Sequence, residues 1–214
     1  MKSIIRKIRL TAKAYFKGTK GSHGFDHTER VLKLALHIGK KEEADPTVLE
    51  LAALLHDIGR RCEDESFGEL CHAEEGAKLA EEILKRHPIS DKIIKNVVHC
   101  IRHHRYRKNS KPDTIEAKII FDADKLDAIG AVGIGRAFLF AGEHGAKLHN
   151  SPHIDMMKTN AYSSEDTAYR EFLYKLRHVH EKMLTREGKR LARKRHEFML
   201  SFFDRLHEEC ESEL

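Results

Sequence analysis

Three stretches of the 214-residue sequence put ionisable side chains where core residues are expected. Residues 51–59 read LAALLHDIG, an apolar helical run that ends in an adjacent imidazole and carboxylate, His56 and Asp57. Residues 24–31 read GFDHTERV and set His27 at the start of another helix. Residues 119–127 read IIFDADKLD and carry Asp122, Asp124 and Asp127 in a third apolar stretch. Burying such groups without partners is costly, and a divalent cation satisfies imidazole and carboxylate together. Alone, the His-Asp dipeptide reads equally well as His56 capping a helix C-terminus beside a solvated Asp57. Two imidazoles, Asp57 and one of the three later aspartates, on three helices, converge only through tertiary packing, as ligands do in helical-bundle metal sites.

The elements that must position these groups are helices. Apolar residues recur three and four apart in Val31, Leu34, Ala35 and Ile38, in Val48, Leu51, Ala52, Leu55 and Ile58, and in Ile93, Ile94, Val97, Val98 and Ile101. Strand alternation and Asn-Gly hairpin signals are absent, so the fold class is all-α. Asp45-Pro46-Thr47 opens the helix that leads to His56, and residues 108–113, with Pro112, read as a turn. The polar stretch 142–164 is predicted to be a long surface loop. After it, Phe172, Leu173, Leu176, Val179 and Met183 form one apolar stripe, and Phe198, Met199, Phe202 and Leu206 form another. Gly188 is predicted to break the chain between them. No internal repeat divides the sequence, which reads as one domain over 1–214, with a motif core at about 20–140 and C-terminal helices at about 165–213 packing on it.

The order H…HD…D is joined by CHAEEGAKLA (71–80), CIRHHRYR (100–107), DADKLDAIGAVGIGRAF (122–138) and MLTREGKRLARKRHEFM (183–199). Together these resemble the HD superfamily of metal-dependent phosphohydrolases, in its branch of small single-domain bacterial and archaeal members. The resemblance covers most of the chain and implies a compact multi-helix HD-domain fold with a C-terminal helical extension. It implies His27, His56, Asp57 and Asp124 as metal ligands. Asp124 is selected because residues 123–126 match the family's Ala-Asp-x-Leu, which leaves Asp122 and Asp127 to cap helices or to hold the ligands in place. Some HD families bind a second ion through histidines resembling His72 and His104; the same two side chains also suit helix capping or phosphate contact, and His103 is expected to be exposed. Manganese is the first choice of ion, while Mg, Fe, Ni, Co and Zn are compatible with mixed nitrogen and oxygen ligands.

The implied reaction is hydrolysis of a phosphoester or phosphoanhydride by a cation-activated water, with a nucleotide as the leading small-molecule substrate. Asp57 would orient or deprotonate that water, and Arg30 and Lys125 would face the phosphoryl oxygens, with Arg60 and Arg136 as further candidates. Arg30 shares a helix face with His27, although a surface ion pair is an alternative fate for it. Two other readings stay open: a nucleotide-binding sensor without turnover, and a di-iron oxygenase that needs a second complete ligand set including His72 and His104. The sequence carries no sign of oligomeric state.

Composition narrows the remaining classes. The formal net charge of +5 is modest, and Lys and Arg gather in the first twenty residues and at 186–195. The latter cluster is read as a solvated helix face, so nucleic acid is not the expected partner. No stretch approaches the roughly 18–20 apolar residues of a membrane span, and the basic N-terminal segment reads as a first helix rather than a leader. Four cysteines without CxxC spacing suit a reducing cytoplasm. There is no serine elbow, phosphate-binding glycine loop or dinucleotide fingerprint, and Gly130, Gly133 and Gly135 are expected to allow close helix packing.

Overall fold

Asp45 and Pro46 show how the sequence starts its helices. The Asp45 carboxylate accepts the backbone N–H groups of Thr47 and Val48 at 2.8 and 3.4 Å, and Pro46 occupies the first helical position, where no N–H is needed. The computed structural model describes residues 1–17, 24–66, 68–105, 111–151 and 153–212. In chain order its helices are α1 (Lys2–Tyr15), α2 (Phe25–Lys41), α3 (Pro46–Leu55), α4 (Arg60–Glu65), α5 (His72–Lys85), α6 (Asp91–His103), α7 (Ile115–Leu126), α8 (Gly130–Glu143), α9 (Ala168–Tyr174) and α10 (Arg186–Glu211). The described residues contain no strand, so the chain is all-α. None of these helices is long and apolar enough to cross a membrane. Residues 108–110 of the expected turn lie outside the described residues.

The described residues fall into two compact units, one holding those up to Asp124 together with Leu184–Gly188, the other holding Lys125–Met183 and those from Lys189 onward. In the first, α3 is the central element. Val48, Leu49 and every residue from Leu51 to Leu55 are buried, so this helix is apolar all round and is covered by α1, α2 and α6. Each such Leu or Val contributes about 1.5–3 kcal/mol by leaving water. Helix α5 packs on α6 and α4, burying Ala73, Gly76, Ala77 and Ala80, residues small enough to let backbones approach. In the second unit, α8 ends at Glu143, and the described residues between it and α9 are irregular except for a 3-10 turn at Met156–Lys158. Phe172 stacks on Phe203 with ring centroids 4.3 Å apart, joining α9 to α10. Close approach is needed at Gly133, where a Cβ would lie 2.2 Å from the Ala128 carbonyl oxygen, whereas Gly135 faces open space.

Gly188 does not interrupt the C-terminal helix, since α10 runs through it. The break falls earlier, where the buried Asp122 carboxylate accepts the N–H groups of Leu184 and Thr185, each at 2.8 Å, and the Thr185 hydroxyl at 2.6 Å. The Thr185 hydroxyl oxygen in turn accepts the Gly188 N–H at 3.0 Å, capping α10. A Cβ at Gly188 would sit 2.2 Å from Asp122 Oδ2, so the glycine is there for close approach and not for chain breaking. The physical reason for the difference is that helix propensity is a weak preference, overridden here by a charged capping group that needs the space. Removing Asp122 strands several buried donors, and Asp122→Ala is expected to lower unfolding free energy by more than about 2 kcal/mol; guanidinium denaturation is the check, and unchanged stability would remove this capping role.

Candidate metal centre

Five helices bring imidazoles and carboxylates to one place. His27 lies in the first turn of α2, His56 and Asp57 occupy the turn that follows α3, His72 is the first residue of α5, His104 directly follows α6, and Asp124 lies in the last turn of α7. His27, His56, Asp57, His72 and His104 are all buried, and the Asp124 side chain is 16% exposed. The donors form two groups, His27 with His56 and Asp124, and His72 with His104 and Asp57. Asp57 faces both. Its Oδ2 is 3.7 Å from the Nε2 atoms of His27 and His56, while its Oδ1 is 3.3 Å from His72 Nε2 and 3.6 Å from His104 Nε2. The Asp124 Oδ1 atom closes the first group at 3.3 Å from His27 Nε2.

The proton positions decide whether these donors suit a cation. His56 Nδ1 donates to the Ala53 carbonyl at 2.8 Å, His104 Nδ1 to the Ile101 carbonyl at 2.6 Å, and His72 Nδ1 to the Glu63 carboxylate at 2.5 Å. Each ring therefore carries its proton outward and points an Nε2 lone pair inward, the tautomer a metal-binding histidine uses. The inward atoms meet as pairs, His27 and His56 at 3.3 Å and His72 and His104 at 3.1 Å. The facing lone pairs of His72 and His104 repel, and the set of imidazole and carboxylate donors fits divalent cations. Burial, reinforced by the neighbouring His27 and His104 and opposed by Asp57, pushes His56 down to about 4. Burial and the Arg60 charge push His72 down to about 3. Both are neutral, and so able to ligate, at neutral pH. Burial works against the Asp57 charge, yet the Arg60 guanidinium and the surrounding imidazoles hold this carboxyl well below the usual range.

The cations expected from the sequence are distributed differently. Arg30 pairs with Asp26, one turn back on the same helix, at 2.5 Å. Arg60 is the one set against Asp57, with Nη2 3.2 Å from both carboxylate oxygens, and its buried Nε has no hydrogen-bond partner. Lys125 follows Asp124 in α7 and is half-buried. Asp127 pairs with Arg136 at 3.0 Å, and Asp122 caps α10, so neither joins the cluster. The geometry separates Asp122 from Asp124 because residues two apart on a helix point about 200° apart. His104 joins the cluster, whereas His103 turns to the His99 carbonyl at 2.8 Å. Sequence reasoning missed Glu63 and Arg105. Glu63 holds His72 and accepts Arg105 at 2.8 Å, a link spanning residues 63, 72 and 105 that no local spacing announces.

Gly59 makes the second group possible. A Cβ there would lie 2.3 Å from the His72 carbonyl oxygen and 2.5 Å from the Gly76 nitrogen, backbone atoms that cannot give way. The glycine thus lets the turn bearing His56 and Asp57 close onto the start of α5. Beside Asp57 opens a cavity of about 310 Å³, lined by Tyr15, Phe16, Lys17, Arg60, Arg61 and Asp64. Of the basic segment 186–195, Arg186, Lys189, Arg190, Arg193 and Lys194 are exposed.

Residues 24–129 match the family model described as HD domain. The chain is 34% identical over 215 residues to the Bacillus subtilis protein YpgQ, covering 95% of this chain and 92% of that one. A crystal structure of YpgQ in complex with ADP superposes with a TM-score of 0.73 at 33% identity, covering 96% of this chain and 97% of that one. The structure of an HD-superfamily hydrolase from Bacillus thuringiensis gives a TM-score of 0.75 at 28% identity, with 98% of each chain covered. A shorter match, 30% identical over 123 residues, joins 58% of this chain to 22% of ribonuclease Y from Borreliella burgdorferi. A family match over the stretch that contains every member of the histidine and aspartate cluster, joined to a relative aligned over nearly the whole chain, identifies this protein as a hydrolase of the HD-domain superfamily.

Proposed function

We propose that the protein is a phosphohydrolase that cleaves a nucleotide phosphoester or phosphoanhydride at a two-cation centre. Asp57 carries this reading, because one buried carboxylate presents each of its oxygens to a different pair of inward imidazole nitrogens. His27, His56 and Asp124 would hold one ion with Asp57, and His72 and His104 the other. Manganese is the preferred ion, with Mg, Fe, Ni, Co and Zn as alternatives. A bound divalent cation supplies two things here, a water of lowered pKa and polarisation of the phosphoryl oxygen.

The chain's own residues do the rest. Asp57, kept ionised by Arg60, fixes the spacing of the two donor groups and orients the attacking water. Arg60, which lines the cavity beside Asp57, would meet charge that develops on the phosphoryl oxygens. That contact is better assigned to Arg60, which shares the cavity with Asp57, than to Arg30, which is not among the cavity's lining residues. Lys125 remains a candidate for a second phosphate contact. In the adjoining cavity, lined by Tyr15, Phe16, Lys17 and Arg61, the aromatic side chains would receive a base and the cations outer phosphates. ADP in the YpgQ crystal supports a nucleotide as the ligand class. The single-domain assignment over 1–214 and a cytoplasmic setting belong to the same reading, the latter supported by four unpaired cysteines.

A complete second donor group also meets the structural condition for a di-iron oxygenase. Relatives solved as HD-superfamily hydrolases favour hydrolysis, and turnover that persists without oxygen separates the two. His56→Ala and Asp57→Ala are expected to abolish phosphate release while circular dichroism keeps most of the helical signal; full activity in either variant removes the site. Metal analysis after manganese loading should show His72→Ala with less bound ion than the parent, and equal content would reduce the centre to a single ion. In a panel of nucleoside phosphates and simple monoesters, Arg60→Ala is expected to lose about tenfold or more in kcat/KM, the worth of one charged hydrogen bond. Asp124→Asn should lose metal with stability retained, whereas Asp122→Asn should lose stability first, and the reverse order would exchange the two aspartates.

A further inference from the structure

A third group of donors lies wholly in the second unit, away in sequence from every residue of the HD cluster. His149 follows α8, and His207 and Glu211 project from one face of α10 at the i, i+4 spacing that lets two ligands share an ion. One donor atom from each lies within 4.8 Å of the other two. His149 Nε2 and His207 Nδ1 are 3.2 Å apart, close to the roughly 3.4 Å edge expected between two nitrogens held at about 2.0–2.1 Å around tetrahedral zinc. The Glu211 carboxylate stands 3.7 Å from Nδ1, the other nitrogen of the His149 ring, too far for a hydrogen bond, and the ring gives only one of its two nitrogens to an ion.

The surroundings hold these side chains in place. The His149 side chain is only 9% exposed and that of Glu211 22%. Tyr169 stacks on His207 with an interplanar angle of 7° and lies 4.4 Å, centroid to centroid, from the His149 ring. The neighbouring Asn150 is pinned by its amide to the Glu165 carbonyl at 2.9 Å and accepts the Thr167 hydroxyl at 2.5 Å, which fixes the backbone that carries His149. Two imidazoles and one carboxylate, positioned before any ion arrives, make a donor set for a borderline divalent cation with one position left to solvent.

We propose that His149, His207 and Glu211 form a separate zinc-binding site that ties the last turns of α10 to the segment before α9. It is independent of the proposed hydrolytic chemistry. Equilibrium dialysis of the full chain against zinc, with metal content read by elemental analysis, tests it. Parent protein should bind one more equivalent than either His207→Ala or Glu211→Gln, with phosphate release unchanged in both variants. Because zinc also enters an HD centre, the same comparison is made in an Asp57→Ala background, where zinc should still raise the unfolding temperature and Glu211→Gln should cancel that rise. Glu211→Gln replaces a partly exposed side chain near the helix end with one of equal size, so it reads the site even if His207→Ala folds poorly. Equal zinc content in parent and Glu211→Gln, or a zinc-induced rise that survives Glu211→Gln in the Asp57→Ala background, would overturn the proposal.

Discussion

An apolar helical core that encloses four imidazoles and a carboxylate is the constraint on which this structure turns. His27, His56, Asp57, His72 and His104 are buried beside Leu and Ile side chains, where an unpaired charge is strongly disfavoured. The protein meets that demand in two ways. Outward nitrogens are tied to the carbonyls of Ala53 and Ile101 and to Glu63, which fixes tautomers, and inward nitrogens are gathered around the Asp57 carboxylate. The same arrangement that makes the core tolerable also makes it a site for cations.

Positioning follows from backbone approach as much as from the ligands. Gly59 allows the turn after α3 to reach the start of α5, and Gly188 leaves room for the Asp122 carboxylate at the start of α10. Two aspartates two residues apart on α7 thereby take unrelated duties. Asp124 faces His27, and Asp122 accepts the N–H groups of Leu184 and Thr185 just ahead of α10. The division is a consequence of helical geometry, since neighbouring alternate positions point to opposite sides.

The cations near the centre show how local pairing redirects chemistry. Arg30 and Arg60 each follow a cluster residue by three positions, and the sequence reading favours Arg30. Asp26 stands four residues before Arg30 and captures it, whereas Arg60 bends back to Asp57 and keeps a buried Nε–H unpartnered. An i, i+4 acid is enough to engage one arginine on its own helix while the other lies against the buried carboxylate.

The sequence by itself determined the helical class, through apolar spacing of three and four, and its resemblance to the HD superfamily implied His27, His56, Asp57 and Asp124 as ligands. It also marked where α3 starts, because Asp45 and Pro46 act within one turn. What only the tertiary structure decided involves residues distant in the chain: the convergence of His72 and His104 on Asp57, the capture of Asp122 by α10, the part of Glu63 and Arg105, and the meeting of His149 with His207 and Glu211. Helix periodicity states which face of a segment is apolar, but not which partner that face will meet. Contacts between residues 63, 72 and 105, or 149 and 207, arise from packing that no local window of the chain contains.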